Sequence, residues 1–405
     1  MRDIHTAAFI AYKSIRKGSK STSVLLIFIL SLSFLNMMFI SGILFGLQGL
    51  FFKAIIDSYA SYITVSPQEK PQIKQYILNQ NEVQSEIQQI PGVAATTRRY
   101  TLGGALSFDK DKNGQLKTVS GAVIGIDPTR EKSVLTISTM MLRGQYLSDT
   151  DTDKIVLSSA LAGGYNVPAP SDLGGANVGD KVRITYANGV MRTYTIKGIY
   201  NDAIGIFETF ITAREAESVL DVYNSASQIL VKTDLNRAPI EAYQKKIAHL
   251  QPTLKIQNYL DLLGSFKSFL SALNLISVIV SAISVLVASI TIFVLIYVNA
   301  ISRRRQIGIL KAIGIKQEII VLSYIFQALF YAVCGVVIGS VIVFCVLTPT
   351  LAAHPIDVDF GYLSLVHRGS TIFFGVVSLI VAGVLAGYVP ARLVARQEIL
   401  KAIWG

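Results

Sequence analysis

The sequence predicts a membrane α-helical fold: four transmembrane helices, with a large mixed α/β extracytoplasmic domain between helices 1 and 2. Three observations predict it. Apolar residues make up 51% of the 405 and charged residues only 16%, a balance outside the usual soluble globular range. Four runs, Val24 to Leu50, Leu270 to Val298, Ile319 to Leu347 and Thr371 to Val389, approach or exceed the roughly 20 helical residues that a hydrocarbon core requires. Between the first and second run, from Phe51 to about Lys267, hydropathy falls and turn signals appear.

The elements follow in order. Residues 1–50 form an N-terminal cytoplasmic segment and the first span. Arg2, Lys13, Arg16, Lys17 and Lys20 flank an apolar run too long for a cleavable signal, so it reads as a retained anchor. Residues 51–267 form the extracytoplasmic domain. There Lys181 to Tyr200, turning at Asn188-Gly189, predicts a hairpin with a type I′ turn, and Phe108 to Ile126 around Lys112-Asn113-Gly114 predicts another. Thr212-Ala213-Arg214-Glu215 has capping-box spacing, and Pro71 to Ile90 and Ala238 to Leu250 have helical alternation.

A helical pattern from near Ile256 to Phe266 runs on to Ala300, predicting a stalk that enters the second span, 268–298, the alternative being that Gly264 breaks off a separate short helix. Then come a cytoplasmic coupling segment at 299–318, the third span at 319–347, a short external loop at 348–370, the fourth span at 371–389 and a cytoplasmic tail at 390–405. Arg303, Arg304, Arg305, Lys311 and Lys316 lie between spans two and three, and Arg392, Arg396 and Lys401 follow the fourth; retention of Lys and Arg inside places both termini and this segment in the cytoplasm. Gly42 and Gly46, Gly335 and Gly339, and Gly383 and Gly387 have the four-residue spacing that permits close helix packing.

Catalytic signatures are missing. No span contains Asp, Glu, Lys, Arg or His, which argues against the ionisable relay of a secondary transporter. Gly18-Ser19-Lys20-Ser21 lacks the upstream glycine and Gly-Lys pair of a phosphate-binding loop. His5, His249, His354 and His367 are scattered without metal-ligand spacing. Asp149, Asp151 and Asp153 alternate as calcium ligands do, but Lys154 and Ala160 stand where the loop needs Gly and Glu, so a solvated turn is the reading. Cys334 and Cys345 fall within the third apolar run, as packing thiols. The net charge of +11 is concentrated beside the membrane and does not imply nucleic acid. The chain is read as non-catalytic and without a cofactor or metal of its own.

The segment Arg303 to Gly314 has three arginines, then Gln306, Ile307 and Gly308, with Leu310, Lys311, Ile313 and Gly314 at helical spacing. Together with the order of spans, with Val123-Ile124-Gly125-Ile126-Asp127-Pro128 and Val178-Gly179-Asp180-Lys181-Val182 in the domain, and with Pro390-Ala391 in the tail, it resembles the permease family of MacB, FtsX and LolC/LolE. Gln306 replaces the family's usual Glu, and Ile399 stands where a proline is common. The resemblance implies a membrane subunit of an ABC complex in the bacterial inner membrane. ATP and Mg²⁺ would belong to a separate ATPase dimer, and a second permease chain, identical or paralogous, would complete the assembly.

Partner closure on ATP would move the segment 303–314 and be transmitted outward for export or extraction of lipoprotein, peptide or hydrophobic substrate. A periplasmic adaptor or lipoprotein carrier is a further partner of this class. Ile307, Leu310 and Ile313 are expected to supply the apolar contacts, with Arg303 to Arg305 facing headgroups or acidic partner residues. The alternative is an FtsX-like regulatory module that controls an external enzyme or senses a ligand.

Overall fold

The computed structural model describes residues 2–18, 20–68, 76–110, 115–165, 171–202, 205, 207–262, 264–358 and 361–396. The chain divides into two compact units, Met1–Gly49 with Ser268–Gly405, and Leu50–Lys267. Two helices open the first unit: α1 (Arg2–Lys17) and α2 (Lys20–Ile55), the latter continued by a π-helical turn, Ile56–Ala60. Sequence reading did not anticipate α1. Its signal was the spacing of Ala7, Ala11, Ser14 and Ile15, whose small or apolar side chains form the inward stripe.

Leu50–Lys267 holds β1 (Ile63–Pro67), β2 (Ile77–Leu78), α3 (Gln80–Gln88), β3 (Val93–Phe108), β4 (Lys117–Ile126), α4 (Pro128–Val134), β5 (Met141–Gly144), β6 (Lys154–Ser158) and α5 (Ser159–Ala162). It continues with β7 (Lys181–Tyr186), β8 (Met191–Tyr200), β9 (Glu208–Thr212), α6 (Ala213–Leu220), β10 (Ser225–Ala226), β11 (Gln228–Thr233), α7 (Ile240–Leu250), β12 (Leu254–Asn258) and α8 (Tyr259–Leu262).

Two substructures share β3. Strands β1, β3, β11 and β12 pair antiparallel in the order β12-β1-β11-β3, and α3 and α7 connect them as a split βαβ layer. Ile63, Val65, Ile229 and Val231 of this sheet pack with Ile87, Tyr243 and Ile247 of the helices. Between β3 and β11 the chain inserts a closed ring, β3-β4-β9-β6-β8-β7 and back to β3. Closure leaves no exposed edge within the ring, and Tyr100, Leu102, Leu106 and Phe108 alternate inward along β3 against Val123, Ile184, Tyr194 and Ile196. Gly104 sits where β3 is paired on both sides; a Cβ there would lie 2.9 Å from Ile184 Cγ2.

Several local expectations change. The β7–β8 turn is not type I′, because Gly189 has positive φ (84°) while Asn188 does not. Gly189 N–H instead closes on the Tyr186 carbonyl, a type I turn followed by a glycine bulge, and Asn188 Nδ2 is spent on the Val219 carbonyl. Strands β3 and β4 form the second hairpin, with Lys112-Asn113-Gly114 outside the described residues. Of the helix expected over Pro71 to Ile90, the described residues show α3, preceded by the short β2, and 69–75 lie outside the described residues. Thr212 caps α6 by accepting from Glu215 N–H, whereas the Glu215 carboxylate takes the Tyr194 hydroxyl. Ile256 belongs to strand β12, not to a stalk, because pairing of Leu254–Asn258 with β1 satisfies that backbone.

The membrane-type unit resumes with α9 (Gly264–Ser302), α10 (Arg304–Ala312) and α11 (Gln317–Val341), the last extended by a π-helical turn, Ile342–Leu347, and α12 (Thr348–Ala353). A small hairpin, β13 (Ile356–Val358) and β14 (Gly361–Leu363), precedes α13 (Gly369–Ala395). Four helical stretches are long and apolar enough to cross a membrane: Lys20–Ala60, Leu270–Ser302, Gln317–Ala353 and Gly369–Ala395. The last runs through Pro390, which is buried, so helix persists beyond the expected span end at 389.

Small residues set the helix separations. A Cβ on Gly335 would lie 2.6 Å from Leu30 Cβ, and one on Gly339 would lie 2.9 Å from Phe34 Cδ1, so α11 and α2 approach at these positions. Gly383 and Gly387 of α13 meet Ile292, Ala332, Ile296 and Ala328 at similarly short range, while Gly42 and Gly46 meet Leu365, His367 and the Ser364 carbonyl.

Candidate coupling site

Helix α10 is a short amphipathic element between two candidate spans, and its burial pattern is specific. Ile307 is 4% exposed and packs in the core formed by Leu26, Ile296, Ala300 and Ile320 of the same unit, and Gly308 beside it is buried. Leu310 and Ile315 are half-buried against that core. The outward face carries Arg304, Arg305, Gln306, Ile309 (50% exposed) and Ile313 (70% exposed). The expectation that Ile307, Leu310 and Ile313 form one partner-facing stripe is corrected. Ile307 is taken by the chain's own core, and Ile309 joins Ile313 as the accessible apolar pair. Spacing alone could not choose between the two faces, because both carry isoleucine.

Gly314 explains how α10 ends. With φ at +93°, it donates to the Lys311 carbonyl, while Ile315 N–H reaches back to Leu310, the paired bonds of a Schellman cap. Leu310 and Ile315 add the apolar contact of that motif. Lys311 Nζ donates to the Ala395 carbonyl at 3.0 Å, in the last turn of α13, where the helix dipole favours a cation. Arg303 also turns inward: it donates to the Ser14 carbonyl at 3.4 Å, in a polar niche with Asn299, Tyr324 and Gln327. Of the three consecutive arginines, Arg304 and Arg305 are exposed and Arg303 is half-buried.

The same unit contains a groove of about 450 Å³ lined by Met37, Met38, Phe45 and Phe374 with Ser41, Asn274, Ser277, Ser281 and Thr371. Ser41 and Ser277 share a hydrogen bond of 2.9 Å. This is the polar cluster that sequence reading did not find, since its hydroxyls come from three helices far apart in the chain and none is ionisable.

In Leu50–Lys267 the strongest charge cluster is interior. Arg99, fully buried, pairs with Glu131 at 2.5 Å, lies 3.9 Å from Glu208 and donates to the Tyr59 carbonyl. Burial pushes the Glu208 carboxyl up to about 7, against the opposing pull of Arg99. The Tyr194 hydroxyl, raised by desolvation, bridges Tyr186 and Glu215. These pairs give the buried charges and hydroxyls of Arg99, Glu131 and Tyr194 partners inside the α/β domain. Asp149, Asp151 and Asp153 diverge to Thr129, to Ser148 with Lys197, and to Lys154.

A model of the MacB-like periplasmic core domain matches residues 23–250, and a model of the FtsX-like permease C-terminal region matches 278–399. Macrolide export ATP-binding/permease protein MacB 2 of Aeromonas hydrophila is 26% identical over 186 residues, 44% of this chain and 28% of the relative. The MacB protein of Bdellovibrio bacteriovorus is 25% identical over 196 residues, 48% of this chain and 27% of the relative. The alignments thus span little more than a quarter of these relatives' lengths. Among solved structures, the periplasmic region of MacB from Actinobacillus actinomycetemcomitans aligns at TM-score 0.36 and 11% identity, over 53% of this chain and 95% of that one. The extracellular domain of the ABC-type transporter YknZ from Gram-positive bacteria aligns at TM-score 0.35 and 13% identity, over 48% and 99%. With the first model covering more than half of its length, four candidate spans and an α/β domain between the first two, the chain belongs to the MacB/FtsX-like family of ABC transporter permeases.

Proposed function

We propose that this chain is the permease subunit of an ABC complex. It couples ATP hydrolysis by a partner ATPase dimer to conformational change in Leu50–Lys267, for export or extraction of lipoprotein, peptide or hydrophobic substrate. The observation that carries this reading is the construction of α10: one face is held in the chain's own helical core through Ile307, and the other leaves Ile309 and Ile313 exposed beside Arg304 and Arg305. A partner pushing on the exposed face moves a helix that is already keyed to α13 through Lys311. Differential contact at that face is what a nucleotide-dependent partner needs in order to shift the equilibrium.

In this reading α10 and both termini face the cytoplasm of a bacterial inner membrane, as the basic flanks support. A second permease chain completes the assembly, and ATP with Mg²⁺ sits in the partner. The groove beside Met37 and Phe374 supports a hydrophobic or amphiphilic cargo, as do relatives named for macrolide export. Affinity purification of the tagged chain from native membranes tests the proposal. An ATPase recovered in equal amount supports it, and an adaptor or lipoprotein carrier beside it specifies transport. Reproducible absence of an ATPase overturns it, and an external hydrolase in place of a carrier would move the reading to regulation.

A further inference from the structure

At the α10 end of the helical unit, a groove of about 930 Å³ opens where α11 begins and α13 ends. Its walls carry two chemistries. Lys316, Arg392 and Arg396 are exposed cations, while Val321, Leu322 and Ile325 form an apolar wall continuous with the spanning part of α11. Glu318 is the single carboxylate in the lining, so the groove carries an excess of two positive charges. Among the described residues, no carboxylate is ion-paired with any of the three cations. Tyr388 also lines the groove, its hydroxyl accepting from Arg392 at 2.9 Å, which holds one guanidinium against the lining.

We infer that this groove binds an anionic phospholipid of the bilayer, its phosphate on Lys316, Arg392 and Arg396 and an acyl chain along Val321, Leu322 and Ile325. Charge complementarity selects an anion, and basic pockets between membrane helices suit phosphate headgroups. The apolar wall selects a molecule that is anionic at one end only, which a free phosphate or nucleotide is not. Arginine holds a phosphate oxygen pair through two parallel donors, so Arg392 and Arg396 supply geometry as well as charge. The occupied groove would pin the start of α11 to the end of α13, next to the Lys311 contact. The inference rests on the membrane reading of α11 and α13 and not on the ATPase partnership.

The test uses the full chain in detergent, stripped of lipid and then offered equal amounts of phosphatidylglycerol and phosphatidylcholine, with retained lipid read by native mass spectrometry. The wild type is expected to keep phosphatidylglycerol several-fold over phosphatidylcholine, and the triple variant Lys316→Gln, Arg392→Gln, Arg396→Gln to keep the two nearly equally. Arg16→Gln with Lys17→Gln, exposed cations of α1 outside the groove, is expected to retain the wild-type preference. An unchanged preference in the triple variant, or an equal loss in the second variant, overturns the groove as the site. Displacement of the lipid by millimolar inorganic phosphate would reassign it to a free anion. Loss of a co-purifying polypeptide instead of lipid would reassign it to a protein partner. Because the measurement has no sidedness and needs no ATPase, its failure leaves the transport proposal standing, and failure of that proposal leaves this one to be judged separately.

Discussion

Lys311 Nζ lies 3.0 Å from the Ala395 carbonyl oxygen, joining the last turn of the short helix α10 to the last turn of α13 across 84 residues of chain. The contact supplies a cation to unpaired terminal carbonyls and gives α10 a second attachment beside Ile307. Replacing Lys311 with Met keeps most of the stem and removes the donor. We expect ATPase stimulation by the permease to fall several-fold while its abundance in the membrane is unchanged, since a partly exposed cation at a helix C-terminus contributes only about 0.3–1 kcal/mol. Full stimulation in that variant would remove Lys311 from the coupling route.

The two faces of α10 separate binding from folding. Ile309→Asp and Ile313→Asp place charge on exposed positions, so both variants should accumulate normally and lose ATPase association in pull-downs. Ile307→Asp buries an unpaired carboxylate in the helical core, at several kcal/mol, and should lower abundance itself. If Ile309→Asp pulled down the ATPase as well as wild type, the outward face would not be the docking face.

Close packing at Gly335 makes a steric prediction. A Cβ there would meet Leu30 Cβ at 2.6 Å, so Gly335→Val forces α11 away from α2, at about 1–3 kcal/mol. Thermal unfolding in detergent should shift down by several degrees. Gly49→Ala, where nothing lies within 4 Å of the added carbon, serves as the control and should show no such shift.

Stability of the α/β domain should depend on pH through Glu208. Its folded pKa, about 7, stands above the ordinary 4.5 because burial outweighs the pull of Arg99. Between those values the folded chain holds a proton that the unfolded chain releases, so stability is lost as pH rises through the window. Glu208→Gln should flatten that slope, read by hydrogen exchange of the β9 amides across the same range. Parallel slopes for wild type and variant would mean that the Glu208 proton is not involved.

Arg99 shows why parts of the domain were not legible in advance. Nothing in Thr96-Thr97-Arg98-Arg99-Tyr100 tells which arginine is buried; strand alternation puts Arg98 and Tyr100 on one side and Arg99 on the other, where Glu131 and Glu208 arrive from α4 and β9. The β7–β8 hairpin was legible from Asn188-Gly189, but its turn type was set by the Asn188 contact with Val219 from α6. Likewise Ile256 has helical neighbours in sequence and a strand partner, Val65, in space.

The sequence by itself determined the four apolar spans, the placement of an α/β domain between the first two, and the Arg303–Gly314 element, because hydropathy, charge bias and a glycine at a helix end are local properties. Tertiary structure alone decided which isoleucine of α10 is spent on the core. It also decided that hydroxyls from three helices converge on one groove, and that Lys316, Arg392 and Arg396 share another. The physical reason is that burial and convergence depend on partners distant in the chain, and no window of neighbouring residues carries that information.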